Sequence, residues 1–242
     1  MIQKTRGIVL NHTRYGETSA IVHVFTQAFG MQSYMVNGVY GAKKRDKVLL
    51  LQPLNRLELE VYHSTGKDIH RIKEFRLLVP LRVIPFSQAR RAQAFLMTEL
   101  LARVLRSESN NPMLFRYIEE SVAALDSDQE GLENFHLYFL FHLTRFLGFF
   151  PHNNYSTSMP FFDLQEACFV SHEPPHPYFL APADAQVFLR LFQTERNQMP
   201  ILAKNLKERR VLLDTLVRFY DLHYGGAGKL RSLDVLGDLF HE

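Results

Sequence analysis

Cysteine is almost absent from this 242-residue chain: Cys168 stands alone. One thiol cannot close an internal disulfide, so the expectation is a reducing, cytoplasmic setting with no membrane partner. Long apolar runs are missing too. The most apolar stretch, 135–150, is interrupted by His136, His142 and Arg145 and is too short for a bilayer span. The first six residues, Met1 to Arg6, contain no apolar core for a signal peptide. Nor does the chain hold a G-x-S-x-G elbow, a G-x-G-x-x-G fingerprint or an H-E-x-x-H pair. Gly228-Lys229 ends like a phosphate-binding loop, but His223 stands where that motif needs glycine and Leu230 where it needs Ser or Thr. Carboxylates are scattered rather than paired. No catalytic residue is nominated, and a hydrolase reading would require convergent groups in a pocket.

Metal ligands are sparse. Cys168, His172 and His176 are spaced by four, with His152 nearby. Thiolate and imidazole suit zinc, yet no close C-x-x-C pair is present, and Pro174, Pro175 and Pro177 forbid the helical turn that would bring His172 and His176 together. The apolar run around Cys168 should raise its thiol pKa, which argues against a nucleophile. No metal and no cofactor are expected.

What the chain does have is unevenly placed positive charge. Residues 1–80 carry 12 Lys and Arg against 6 Asp and Glu, whereas residues 81–242 carry 16 against 19. A basic first part joined to a mildly acidic second suggests a polyanion-binding portion and a portion with other work, although chance segregation of surface charge reads the same. The charge peaks in the stretch Gly38 to Lys47, where Lys43, Lys44, Arg45 and Lys47 follow Tyr40. Single-strand binders combine cations that track phosphates with rings on which bases stack. The candidate nucleic-acid residues are therefore Lys43, Lys44, Arg45 and Lys47 with Tyr40 and Tyr34, extended by Arg6, Arg14, Arg71, Lys73 and Arg76. A solvated hairpin tip with two packed tyrosines is the competing interpretation.

The first 80 residues read as strands. Ala20, Val22 and Val24 alternate with Ile21, His23 and Phe25; Gln32, Tyr34 and Val36 alternate with Met31, Ser33 and Met35. Gly7 to Leu10 is an apolar run followed by a turn-like segment, Asn11 to Gly16. The run Val48 to Leu51 makes the basic stretch a loop between two strands. Leu57, Leu59 and Val61 alternate with Glu58, Glu60 and Tyr62 after a bend at Pro53 and Asn55, and Asp68 to Leu78 is the last strand. Five strands in this length fit a barrel of the oligonucleotide/oligosaccharide-binding (OB) type, and an SH3-type barrel would read similarly.

Beyond Pro80 and Pro85 the period becomes helical. Ser87 should cap a helix to Leu105, and Asn111-Pro112 should start one to about Leu125. Residues 132–149 are apolar on nearly every side, as in the buried centre of a bundle. Residues 150–182 lose the pattern, with short ribbon signals at 161–164 and 167–170. Helices return at 182–192 and about 201–224, closed by Gly225, Gly226 and Gly228, and a short amphipathic helix is expected at 232–239. The fold class is α+β: an OB-type barrel at 1–80, then a helical domain at 81–242 with an irregular insertion at about 150–182.

These residues also carry a resemblance. Gly7-Ile8-Val9-Leu10, Tyr15-Gly16-Glu17-Thr18, Phe25-Thr26, Gly30, Gly38 through Arg45, Gln52-Pro53-Leu54 and Leu57-Glu58-Leu59 resemble the N-terminal domain of the bacterial RecO family. Leu147-Gly148-Phe149-Phe150-Pro151 is similar to the helix end that leads into that family's zinc module. His223-Tyr224-Gly225-Gly226 and Lys229-Leu230-Arg231-Ser232-Leu233 look like its closing motif.

The resemblance implies a non-catalytic mediator of DNA repair and recombination, cytoplasmic and nucleoid-associated. It implies binding of single- and double-stranded DNA, annealing of complementary strands, and cooperation with RecR in loading RecA onto DNA coated by single-strand-binding protein. It leaves a RecF-type partner open. It also implies binding of the coating protein's acidic, hydrophobic tail, for which Arg116, Arg145 and Lys204 are chemical candidates. Only Lys43, Lys44 and Arg45 carry over residue by residue. Where many relatives have four cysteines, this chain has His152, Asn153, Asn154 and Cys168, so the insertion is expected to be zinc-finger-like but metal-free, packed by Tyr155, Phe161, Phe162, Phe169 and Tyr178. The rival from another class is a protein–protein adaptor whose basic patch meets an acidic partner.

Overall fold

The computed structural model describes residues 2–40, 46–64, 66–129, 131–224 and 230–233. The chain forms two compact units, 1–128 and 129–242. The first is built on five strands: β1 (Ile2–Tyr15), β2 (Ser19–Thr26), β3 (Gly30–Val36), β4 (Arg56–Tyr62) and β5 (Ile69–Val79). They close into a barrel of order β1-β2-β3-β5-β4, with β3 and β5 parallel and the other pairs antiparallel. This is the expected OB-type barrel.

Alternation decides which side chains fill it. Ala20, Val22, Val24, Tyr34, Val36, Leu57, Leu59 and Val61 point inward and are buried. Two sequence expectations are corrected here. Residues 11–15 do not turn but continue β1, pairing Asn11 through Tyr15 with β2 past a bulge between Val9 and Asn11. The run Val48 to Leu51 belongs to a helical turn, α1 (Asp46–Leu49), rather than a strand. Amide donors of Leu50 and Leu51 return to the carbonyls of Lys47 and Val48, and Leu51 is fully buried with the barrel interior. A four-residue apolar run has the same appearance in either conformation.

Two helices, α2 (Gln88–Val104) and α3 (Pro112–Leu125), complete the first unit. Ser87 and Asn111 cap them as expected: each side chain accepts an N–H three residues on. Ile8, Leu10 and Phe25 are buried although they lie outside the barrel's interior cluster. The helices cover this outer face, with Phe115 of α3 lying 6.0 Å from Phe25. Gly30 shows how close the cover comes. It sits at φ 67°, and a Cβ there would collide with the Glu108 carbonyl oxygen of the α2–α3 connection. Met31 donates its N–H to that same carbonyl at 3.0 Å. The Asp126 carboxylate closes the unit by accepting N–H groups of Arg82, Val83 and Ile84 at 2.9–3.0 Å.

The second unit has α4 (Phe135–Phe146) at its centre, with α5 (Pro182–Gln193) and α6 (Leu206–Tyr224). The helix expected from 132 starts three residues later and ends three earlier, where Gly148 at φ 85° turns the chain and the Phe149 N–H caps the Thr144 carbonyl. Helix α6 likewise begins after a 3-10 turn, Arg196–Ile201. The insertion is a three-stranded sheet, β6 (Phe161–Asp163), β7 (Cys168–Val170) and β8 (Phe179–Leu180), in the order β7-β6-β8. Asn154 staples β7 by donating to the Phe169 carbonyl and accepting the Phe169 N–H. The expected closing glycines, 225, 226 and 228, and nearly all of the expected helix at 232–239 lie outside the described residues.

Candidate nucleic-acid interface

The most basic residues of the chain, Lys43, Lys44 and Arg45, lie outside the described residues, so the interface is built from what flanks them. The loop leaves β3 at Val36 and reaches Tyr40. There the Tyr40 N–H donates to the Thr18 carbonyl at 3.1 Å, tying the loop root to the β1–β2 turn. The Arg14 guanidinium lies over the Tyr40 ring, 5.2 Å from its centroid, and donates to the carbonyls of Gly16 and Glu17 at 3.3 and 2.8 Å. Its acceptors are neutral carbonyls, so Arg14 is held in place without a carboxylate partner among the described residues. Tyr40 is half-buried against the barrel core, with its ring already engaged by Arg14. On the far side of the loop, Lys47 projects from α1, exposed and without an ion pair among the described residues.

The other candidates divide sharply. Tyr34 is 0% exposed and sits inside the barrel, where burial raises its phenol pKa. No base can reach it, so Tyr34 is removed as a stacking residue. The physical reason lies in the alternation, because Tyr34 shares a face with the inward Val36. Arg6 donates to both Glu119 carboxylate oxygens at 3.1 and 3.2 Å and to Gln27 at 3.1 Å, and lies over Phe115. Lys73 and Lys4 both pair with Glu60, at 2.9 and 3.4 Å, and Arg76 pairs with Glu58. Lys73 holds the Glu60 carboxyl below its usual range, and Glu60 in turn raises Lys73. This outer face of β1, β4 and β5 holds an open groove of about 600 Å³ lined by Lys4, Arg6, Glu58, Glu60, Glu74 and Arg76. Alternating charge cancels the field a polyanion would follow, so Arg6, Lys73 and Arg76 are occupied within the protein.

Arg71 escapes that ladder. It is exposed on β5, flanked by Met35 of β3 and Tyr62 of β4, and makes no ion pair among the described residues. A bulge at Lys73, between the pairs Val61–Ile72 and Glu60–Glu74, turns Lys73 toward Glu60 and leaves Arg71 alone. Tyr62, 48% exposed, is an aromatic that charge clustering gives no reason to nominate. Its signal is the period: Tyr62 alternates with the inward Val61.

The partner-binding candidates are not one cluster. Arg116 lies on α3 in the first unit and donates to Glu120 at 2.8 Å. Arg145 and Lys204 belong to the second unit. Arg145 is exposed at the end of α4, 4.3 Å from the Phe150 ring centroid, and the Lys204 backbone N–H donates to a Glu208 carboxylate oxygen at 2.9 Å. In the insertion, His176 Nε2 lies 3.3 Å from an Asp163 oxygen. Burial first, then Asp163 and Glu166, pushes the Cys168 thiol pKa up. Ser171 engages the His172 ring, and the His152 N–H donates to the Ala167 carbonyl. Among the described residues no three His, Cys, Asp or Glu side chains converge as metal ligands. Rings pack within the insertion: Phe169 meets Tyr155 at 5.2 Å and Phe162 at 4.9 Å, and Phe161 meets Phe179. Among the described residues no helix is long and apolar enough to cross a membrane.

Comparison with known proteins gives the family. Residues 1–80 match the model described as "Recombination protein O N terminal", and residues 89–234 match "Recombination protein O C terminal". A protein of Phocaeicola vulgatus named DNA repair protein RecO is 37% identical over 240 residues, 99% of this chain and 100% of that one. Proteins of the same name from Bacteroides fragilis and Porphyromonas gingivalis are 35% and 32% identical, again over 99% of this chain and all of theirs. The match covers the barrel, the helices and the insertion in one register, and the chain belongs to the recombination protein O (RecO) family.

Proposed function

We propose that this protein acts in DNA repair and homologous recombination as a mediator. It binds single- and double-stranded DNA, anneals complementary strands, and with RecR helps load RecA onto DNA coated by single-strand-binding protein. The barrel at 1–80 is the DNA-binding part. The helical part at 81–242, with its metal-free insertion at about 150–182, serves protein partners. The observation that carries the DNA claim is the contrast on the barrel surface. Arg14, Lys47 and Arg71 make no ion pair among the described residues and lie at or beside the roots of the loop holding Lys43, Lys44 and Arg45, whereas the ladder of Lys4, Lys73 and Arg76 with Glu58 and Glu60 is internally neutralised. Neutralising phosphates on two strands lowers the repulsion that opposes annealing, and no bond needs to be made or broken. For the coating protein's tail, Arg145 beside the Phe150 ring offers a cation and an apolar surface together, with Lys204 a further cation in the same unit.

An annealing assay with complementary labelled strands tests this reading. The protein should accelerate annealing at low salt, and the Lys43→Ala/Lys44→Ala/Arg45→Ala variant should lose most of that acceleration. Absence of any acceleration, together with tight binding to an acidic protein tail, would replace the mediator by an adaptor.

A further inference from the structure

The pairing registers of all five strands define one lateral row around the barrel: Thr13, Ile21, Met35, Arg71, Tyr62 and Ile2, each beside the next. Their inward neighbours Ala20, Val22, Tyr34, Val36 and Val61 are buried, so the row faces outward. Tyr62 and Ile2 are 48% and 44% exposed, and Ile69, two residues before Arg71 on the same strand face, is 42% exposed. A large ring, two aliphatic side chains and a guanidinium with no ion pair among the described residues therefore share one patch. Neighbouring strands lie about 4.8 Å apart, so Arg71 and Tyr62 stand within reach of a single nucleotide.

Nearby acids do not cancel Arg71. Glu60, the next outward residue on β4, is already shared by Lys4 and Lys73, and Asp68, exposed in the loop before β5, makes no ion pair with Arg71. The patch is centred on a cation rather than on an aliphatic side chain, as a purely apolar contact would be. A flat ring beside a phosphate-binding cation is instead the pairing that an unpaired base and its backbone require.

We propose that Tyr62 and Arg71 form a base-stacking platform for single-stranded DNA, with Ile2 and Ile69 as its apolar rim. This rests on the DNA-binding reading above and adds to it a source of strand preference. The stacking face of a base is open to Tyr62 in a single strand and closed within a duplex, whereas the loop cations meet phosphates in both.

The chain contains no tryptophan, so Tyr62→Trp introduces a unique fluorophore at the platform. Titration with oligo-dT should quench its emission in a saturating manner, and a blunt duplex of equal length should leave it nearly unchanged. In anisotropy titrations, Tyr62→Leu should weaken oligo-dT binding about tenfold and duplex binding less than twofold, with Tyr62→Phe restoring most of the affinity. Arg71→Gln should lower the salt slope by about one unit. Equal losses on single strand and duplex, or no quenching on saturation with oligo-dT, would overturn the platform while leaving the DNA reading intact. Wild-type protein that binds neither DNA form would overturn both.

Discussion

Arg14 and Lys73 are both cations on the outside of one barrel, but only Arg14 keeps its charge for a partner. Its guanidinium is anchored on carbonyls and on the Tyr40 ring, whereas Lys73 is committed to Glu60. Replacing Arg14 with Ala should weaken binding to any DNA several-fold and reduce the salt slope by about one unit. Lys73→Ala should change affinity less than twofold, because it removes no free charge. Anisotropy titrations at several salt concentrations separate the two. Cation density along the sequence identifies the loop but cannot distinguish these residues, since their partners Glu58, Glu60 and Glu119 arrive through strand pairing and a distant helix. The tyrosines were more legible than charge clustering alone makes them. Period two places Tyr34 inward with Val36 and Tyr62 outward from Val61.

Elements read well where one face is buried and poorly where length is short. The five strands, the Ser87 and Asn111 caps and the buried centre at α4 are written in alternation, capping chemistry and all-round apolarity. The turn at α1 is not, since four apolar residues have no period to display. Helix α4 also carries a buried histidine, His136, and a half-buried one, His142. Burial, then Arg209, lowers the pKa of His136 to about 3, and burial, then Arg145, lowers His142 to about 4. Unfolded histidine has a pKa near 6.5, so below that pH the unfolded chain binds protons that the native one refuses. Stability is therefore fully present above about pH 6.5 and falls as pH drops toward the native values. Each ring contributes a loss of about 1.5 kcal/mol between pH 6.5 and 5. His142 packs among Tyr138, Phe141 and Phe150. Replacing it with Phe should flatten this acid limb by roughly half, as measured by urea unfolding at pH 7 and pH 5.

At the scale of the whole molecule, the sequence boundary and the compact boundary differ. The period changes at Pro80, and the two family matches meet between 80 and 89, yet the first compact unit runs to residue 128. The reason is the outer face of the barrel: Ile8, Leu10 and Phe25 are buried by α2 and α3. Alternation cannot reveal a strand buried on both sides, and these helices follow a proline boundary. A fragment of residues 1–128 should unfold in one cooperative thermal transition as a monomer. A fragment of residues 1–80 exposes three large apolar side chains, each worth about 1.5–3 kcal/mol of burial, and should aggregate or melt far lower. Circular dichroism melts with size-exclusion chromatography decide this.

The claim that joins these scales is that an uncompensated cationic surface on the barrel holds DNA by its phosphates. Its most direct test is the affinity for a labelled single strand measured between about 50 and 200 mM salt. If Arg14, Lys43, Lys44, Arg45, Lys47 and Arg71 all engage phosphates, log K should fall against log salt with a slope of about −4. The Lys43→Ala/Lys44→Ala/Arg45→Ala variant should show about −2. A slope near zero, or one unchanged in that variant, would contradict the account.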